Sequence, residues 1–144
     1  QLGTDNKKLS TEALKLLQVE SELQQIVRLV GADSLSYPDR LILEATRSLR
    51  EDYLQQDAMS DTDSYYPLDK QARLLNIIMD YYHKASEALE QGASFDALAS
   101  LPVRERIGLY KQIDKSAIDE EFDAIEKELD DQIAQTLKPE EEDI

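Results

Sequence analysis

Apolar residues recur along the first part of the chain as Leu14, Leu17, Leu23, Ile26, Val27 and Val30. This stripe has the 3.6-residue period of an amphipathic helix over 13–30, and it stops at Gly31, the residue type favoured just past a helix end. Ser36, with Pro38 behind it and Asp39 three residues on, predicts the start of a second helix, an N-cap worth about 1 kcal/mol. That helix carries Leu41, Ile42, Ala45, Leu49 and Tyr53 on one face. Ser, Thr and Asp residues break the period over 57–66, and Pro67 is placed as the first residue of a third helix. Its register, Leu68, Ala72, Leu75, Met79, Tyr82, Ala85 and Leu89, predicts one narrow seam ending at Gln91-Gly92. A short helix over 94–100 uses Phe95 and Leu98. Pro102 restarts the chain, and Val103, Ile107 and Tyr110 form another brief amphipathic stretch. Ser116 with Asp119 has the form of a capping box, and Ile118, Phe122, Ile125, Leu129, Ile133 and Leu137 follow on a helix of roughly 30 Å.

Two long apolar seams cannot stay in water, since each exposed side chain forfeits roughly 1.5 to 3 kcal/mol of burial. The expected fold is therefore all-α, an antiparallel helical bundle of about five to six helices. Composition agrees: four Gly and four Pro in 144 residues leave little punctuation for a sheet, and strong helix formers dominate. No shared spacing of marker residues suggests a repeat array. The polar stretch 1–8 reads as a linker, 9–137 as one helical domain, and 138–144 as an acidic, disordered tail.

Charge narrows the partners. A formal net charge of −15 repels phosphate backbones and anionic lipid headgroups, so no nucleic acid and no direct membrane insertion is expected. Solvation of helix faces accounts for most of that charge, and a basic partner is the alternative. No apolar run approaches the ~20 residues of a membrane span, and the first residues lack the basic-then-apolar layout of a signal peptide. With no cysteine there is no disulfide framework and no thiolate chemistry.

Candidate chemistry is sparse. His83 is the only histidine and has no cysteine to join it at a metal, so a helix-surface role is expected and no metal site. Counted from Asp57, a calcium loop would put Met59 where an oxygen ligand is needed; counted from Asp61, it would put Tyr66 at the glycine position and Ala72 at the bidentate acid. Glu51-Asp52 and Glu120-Glu121 are adjacent around a helix and do not converge on one atom as a general acid and base must. Tyr65-Tyr66 and Tyr81-Tyr82 lack the basic neighbours of a strand-binding platform, which leaves packing. No Gly-rich phosphate loop is present, so no catalytic residue and no cofactor is expected in these 144 residues.

One segment stands apart: Leu49-Arg-Glu-Asp-Tyr-Leu-Gln-Gln-Asp-Ala-Met59, preceded by Leu29-Val-Gly-Ala-Asp33 and Asp39-Arg-Leu-Ile-Leu-Glu44 and followed by Asp63-Ser-Tyr-Tyr-Pro67. With Leu101-Pro-Val-Arg-Glu-Arg-Ile107, this order resembles the carboxyl-terminal domain of the catalytic A (alpha) subunit of archaeal A-type and V-type ATP synthases. The resemblance runs over about 9–126. The non-catalytic B subunit lacks the combination, and an F-type β subunit would end the segment in Gln-Pro-Phe where this chain has Gln56-Asp-Ala-Met59.

The resemblance implies a domain of a rotary ATP synthase, with ATP synthesis or hydrolysis coupled to proton or sodium transport. ATP or ADP and Mg would belong to the full-length subunit, whose P-loop lies in a preceding domain, so the domain alone is expected to be inactive. It further implies that Gly31, Asp33, Leu35, Tyr37, Pro38, Asp39 and Arg40 form a tip facing the central rotor. Ala58 and Met59 would lie on the adenine side, Met59 standing where many relatives carry an aromatic. The tip is less acidic than the F-type DELSEED turn, so a push on the rotor should be steric more than electrostatic, given a Debye length of ~8 Å. Implied partners are the B subunits and the central stalk, at the cytoplasmic side of the membrane as a peripheral head. Weak homodimerisation of the isolated domain is expected through its uncovered domain face. A rival reading, an acidic helical adaptor with no tie to ATP, explains the charge and helicity but not the ordered local matches.

Overall fold

The helical periods become helices in the computed structural model, which describes residues 2–54 and 68–138. In chain order these are α1 (Leu2–Val30), α2 (Tyr37–Ser48), α3 (Leu68–Glu90), α4 (Phe95–Ala99), α5 (Val103–Leu109) and α6 (Ile118–Thr136). α2 continues without a break into a π-helical turn, Leu49–Leu54. Short 3₁₀ turns at Ala32–Ser34, Tyr110–Gln112 and Lys115–Ala117 complete the order, and the described residues contain no strand. The chain is all-α, as its pattern predicts. The stretch 57–66, Pro67 and the tail 139–144 lie outside the described residues.

α1, α2 and α6 all pack on α3. A helix covered from several sides buries more than a stripe. Leu74, Ile77, Ile78 and Tyr81 are accordingly buried beside the predicted Leu75, Met79 and Ala85, while Tyr82 is only half-buried. The narrow seam expected for this helix is therefore a broad core-facing surface. The other predicted faces hold: Leu41, Ala45 and Leu49 from α2, Leu98 from α4, Val103, Ile107 and Tyr110 around α5, and Ile125 and Leu129 from α6 are all buried.

The stripe predicted for α1 is rotated. Ala13, Leu16, Glu20 and Leu23 face inward, whereas Leu14, Ile26 and Val30 are exposed. The inner face carries a charge, which a search for apolar residues alone passes over. Glu20 is buried because Arg50, from the π turn, grips its carboxylate with Nε and Nη2 at 2.9 and 2.8 Å from Oε1. A second cross-link ties α1 to α3, His83 Nε2 lying 2.7 Å from Glu12 Oε2. His83 is thus on the surface, as expected, with a carboxylate partner.

Two further expectations are corrected at helix starts. The polar stretch 1–8, read as a linker, is helical from Leu2 onward. Once a helix is nucleated, each added turn gains a hydrogen bond per residue without needing apolar burial. Ser116 does not cap α6: the cap position is Ala117, with no side-chain bond, and the Ser116 hydroxyl donates instead to Asp114 Oδ2 at 3.1 Å. Elsewhere capping follows the sequence, Ser36 accepting from the Asp39 amide and Ser94 from the Ala97 amide, both at 3.3 Å.

Candidate functional site

The tip 31–40 joins α1 to α2 and folds the two helices back on one another. Gly31 makes the turn possible: its φ of +94° lies in the left-handed region, and its amide donates to Val27 O at 2.8 Å to close α1. Ser34 Oγ donates back to Gly31 O at 2.7 Å. Leu35 points inward and is 7% exposed, so of the predicted rotor-facing residues it is the one the fold takes for itself. Tyr37 is exposed yet braced, its ring stacked on Phe95 of α4 with centroids 5.6 Å apart. Arg40 lies over the same tyrosine at 5.3 Å, donates from Nε to Leu35 O at 3.3 Å and reaches Asp33 at 3.5 Å. Pro38 is exposed and Asp39 half-buried behind the Ser36 cap. Leu29 (83% exposed) and Val30 extend the exposed surface down α1 with apolar side chains.

At the other end of α2 lies a cluster that residue patterns did not single out. Arg104, in the first turn of α5, donates from Nη1 to Glu44 Oε1 at 2.7 Å and Ala99 O at 2.9 Å, and from Nη2 to Glu44 O at 2.9 Å and Ser48 Oγ at 2.8 Å. Its guanidinium also covers the Tyr81 ring at 4.6 Å, and the Tyr81 hydroxyl donates to Leu98 O at 2.9 Å. One arginine therefore ties together α2, α3, α4 and α5. Burial pushes the Glu44 carboxyl up, but hydrogen bonds from Arg104 and Arg47 and their charges hold it below its ordinary range. Burial pushes the Tyr81 phenol up to about 12. A signal for this residue was present: a cation in the first turn of a helix opposes the helix dipole and calls for a tertiary partner.

Four residues on, the backbone of α5 approaches the π turn. A Cβ on Gly108 would meet Asp52 Oδ1 at 3.2 Å. Asp52, read from sequence as a solvated acid, is half-buried there, and burial with Glu51 nearby raises its carboxyl above the usual range.

A third charged cluster lies between α3 and α6. Burial, and then the facing Asp80 carboxylate, push Glu126 up to about 7. Its Oε1 is 3.7 Å from Lys84 Nζ, which also pairs with Asp130, while its Oε2 is buried with no partner of its own. A proton on Glu126 would let it donate to Asp80 and satisfy that oxygen. No group of three or more His, Cys, Asp or Glu among the described residues is arranged to hold a metal. Ala58 and Met59, the adenine-side expectation, lie outside the described residues, as do Asp57, Asp61, Asp63, Tyr65 and Tyr66.

Fold and tip together define the class: an all-α bundle that presents a braced, solvent-facing turn between two helices and carries no catalytic constellation among its described residues. Residues 1–99 match the family model for the C-terminal domain of V and A type ATP synthase. The chain belongs to that family. Among curated relatives, it is 47% identical over 127 residues to the V-type ATP synthase alpha chain of Clostridioides difficile and 46% identical over 132 residues to that of Acetivibrio thermocellus. These matches cover 88% and 92% of this chain but only 22% of each alpha chain. A third, from Clostridium perfringens, is 49% identical over 117 residues, 81% of this chain and 20% of the relative. The chain spans about a fifth of the length of the curated relatives it matches, and these three are bacterial.

Proposed function

We propose that this domain belongs to the alpha chain of a rotary V/A-type ATP synthase and carries motion from the nucleotide site to the central stalk. The bundle swings as one body when that site opens or closes, and the tip bears on the rotor. Hinged rigid motion of this kind amplifies a small change at a ligand site into a large displacement. ATP synthesis or hydrolysis and the accompanying proton or sodium transport belong to the whole enzyme, a peripheral head at the cytoplasmic side of the membrane. The B subunits are its neighbours. ATP or ADP with Mg is held by the P-loop domain, Ala58 and Met59 approach the adenine from this side, and this domain alone hydrolyses nothing.

The observation that carries the reading is the build of the tip. Leu35 anchors it and Phe95 braces it, while Leu29, Val30, Tyr37 and Pro38 remain exposed beside it. An apolar, stiff projection suits a steric push better than an electrostatic one. Because Leu29 and Val30 add little to the core, Leu29→Ser with Val30→Ser and, separately, Tyr37→Gly should spare folding. In the intact complex both variants should keep ATP hydrolysis and lower the ions moved per ATP hydrolysed. Unchanged ion transport per ATP in both would overturn the coupling role.

A further inference from the structure

The rod that carries the tip has a weak point. α2 runs as an α-helix through Ser48 and then widens into the π-helical turn Leu49–Leu54. Such widenings interrupt the regular i to i+4 ladder, and they are where helices kink. A lever that bends there would lose displacement between its two ends.

α5 lies across this transition. Its first turn holds α2 just before the change of pitch, through three hydrogen bonds of Arg104 to Glu44 Oε1, Glu44 O and Ser48 Oγ, while a fourth ties it to Ala99 O of α4. Its last turn approaches the widened segment at Gly108, where an added Cβ would meet the Asp52 carboxylate at 3.2 Å. The two sites are one helical turn apart on α5 and lie just before the change of pitch and within the widened segment. Arg104 is also fixed from behind, by the ring of the buried Tyr81, whose hydroxyl is itself bonded to Leu98 O. A planar guanidinium held on one face and bonded along its edges has little freedom left.

We infer that α5 is a splint over the junction where α2 passes into its π turn, with Arg104 as the positioning residue that keeps the tip-bearing helix stiff. The inference rests on the coupling role proposed above and adds to it the element that makes the lever rigid. Arg104 touches no substrate. It acts through α2.

The test uses the intact synthase complex carrying Arg104→Lys, which keeps a cation but loses the fork, or Gly108→Val, whose side chain would crowd the Asp52 carboxylate. Tyr37→Gly at the tip serves as the reference, and ATP hydrolysis, ion transport and the thermal midpoint of the complex are measured for each. Both splint variants should retain hydrolysis and reduce the ions moved per ATP by about two- to thirty-fold, the range in which residues along a coupling route act. If hydrolysis and transport fall together with their ratio unchanged, the two residues only stabilise the fold and the splint is overturned. If the ratio falls for Tyr37→Gly but not for either splint variant, the splint is overturned while the coupling role stands. A ratio unmoved by all three variants removes the coupling role, and the splint with it. Should Arg104→Lys fail to assemble, Gly108→Val alone decides by the same ratio.

Discussion

Two arginines in this domain are built from the same parts. Arg40 at the tip and Arg104 at the α2–α5 junction each face a carboxylate, a backbone carbonyl and the face of a tyrosine. What separates them is water. The Arg40 side chain is 27% exposed and its partner Asp33 fully so, with the pair 3.5 Å apart; the Arg104 side chain is 10% exposed and meets Glu44 at 2.7 Å. In high dielectric an ion pair gains little beyond its entropy cost, whereas a desolvated pair cannot lose a partner cheaply. The same chemistry therefore makes a replaceable surface at the tip and a fixed joint at the junction.

The comparison is broken most directly by removing both cations. Arg104→Ala leaves the Glu44 carboxylate to Arg47 alone, takes the partner from the Ala99 carbonyl and the face of Tyr81, and should destabilise the domain by about 2 kcal/mol in chemical denaturation. Arg40→Ala should cost under about 1 kcal/mol. Equal losses would mean that burial is not what distinguishes the two sites.

This difference also governs what could be read from the chain. Periodicity located α2, α4, α5 and α6 and their inward faces, because those faces are apolar and period alone marks them. The tip was legible for a related reason: Gly31, Ser36 and Pro38 are local signals whose meaning depends on a few neighbours. The junction was not, because Arg104 meets Glu44 and Ser48 across some sixty residues of chain. α1 failed in the same way, as Glu20 faces inward only because Arg50 arrives to pair with it. Charged residues are placed by partners distant in sequence, and composition codes them all as surface. Ser116 and Asp119 show the converse error, a correct local pattern overridden when the Ser116 hydroxyl turned to Asp114.

A second way to sharpen the contrast uses pH, since burial also acts on Glu126. Its folded pKa stands near 7 against an ordinary value of 4.5. The folded state therefore holds the proton more tightly than the unfolded chain. That contribution is complete below about pH 4.5 and is lost as pH rises through 7. Because the side chain keeps partial access to solvent, the change should be about 1 kcal/mol. Glu126→Gln carries a permanent donor toward Asp80, so it should be the more stable form at pH 8 and differ little from the parent at pH 5. Denaturation midpoints measured at both values check this. An unchanged slope between them would show that the Asp80–Glu126 contact is not proton-linked. Glu44 runs the other way, its depressed pKa contributing stability that is lost as pH falls below about 4.5.

The tip has one feature that cannot be exchanged freely, and it is backbone rather than charge. A Cβ at Gly31 would meet nothing within 4 Å, but the φ of +94° is strained for any L side chain. Gly31→Ala should therefore cost about 1 kcal/mol without any steric clash. The same substitution at Gly108, where φ is ordinary and Asp52 stands at 3.2 Å, acts through the contact instead. Asp52→Ala should thus relieve Gly108→Ala and leave Gly31→Ala untouched, a difference visible in a double-mutant cycle. Relief at both positions would mean that the two ends of α2 are not energetically separate.

The smallest expected effect is the most informative about the tip as a contact surface. Asp33→Asn removes a carboxylate that is fully exposed and whose ion pair to Arg40 is 3.5 Å long. Raising the salt concentration should weaken this pair too, because exposed charges are screened over a Debye length of ~8 Å at physiological ionic strength. A very small stability change is expected, with the variant slightly less sensitive to salt than the parent. Arg40 would keep its bond to Leu35 O and its place over Tyr37, so the turn should survive intact. A loss above about 1 kcal/mol would place Asp33 among the parts that hold the turn together, and the tip would then be built like the junction. A null result leaves Asp33 free to meet a partner's charge without any penalty to the fold.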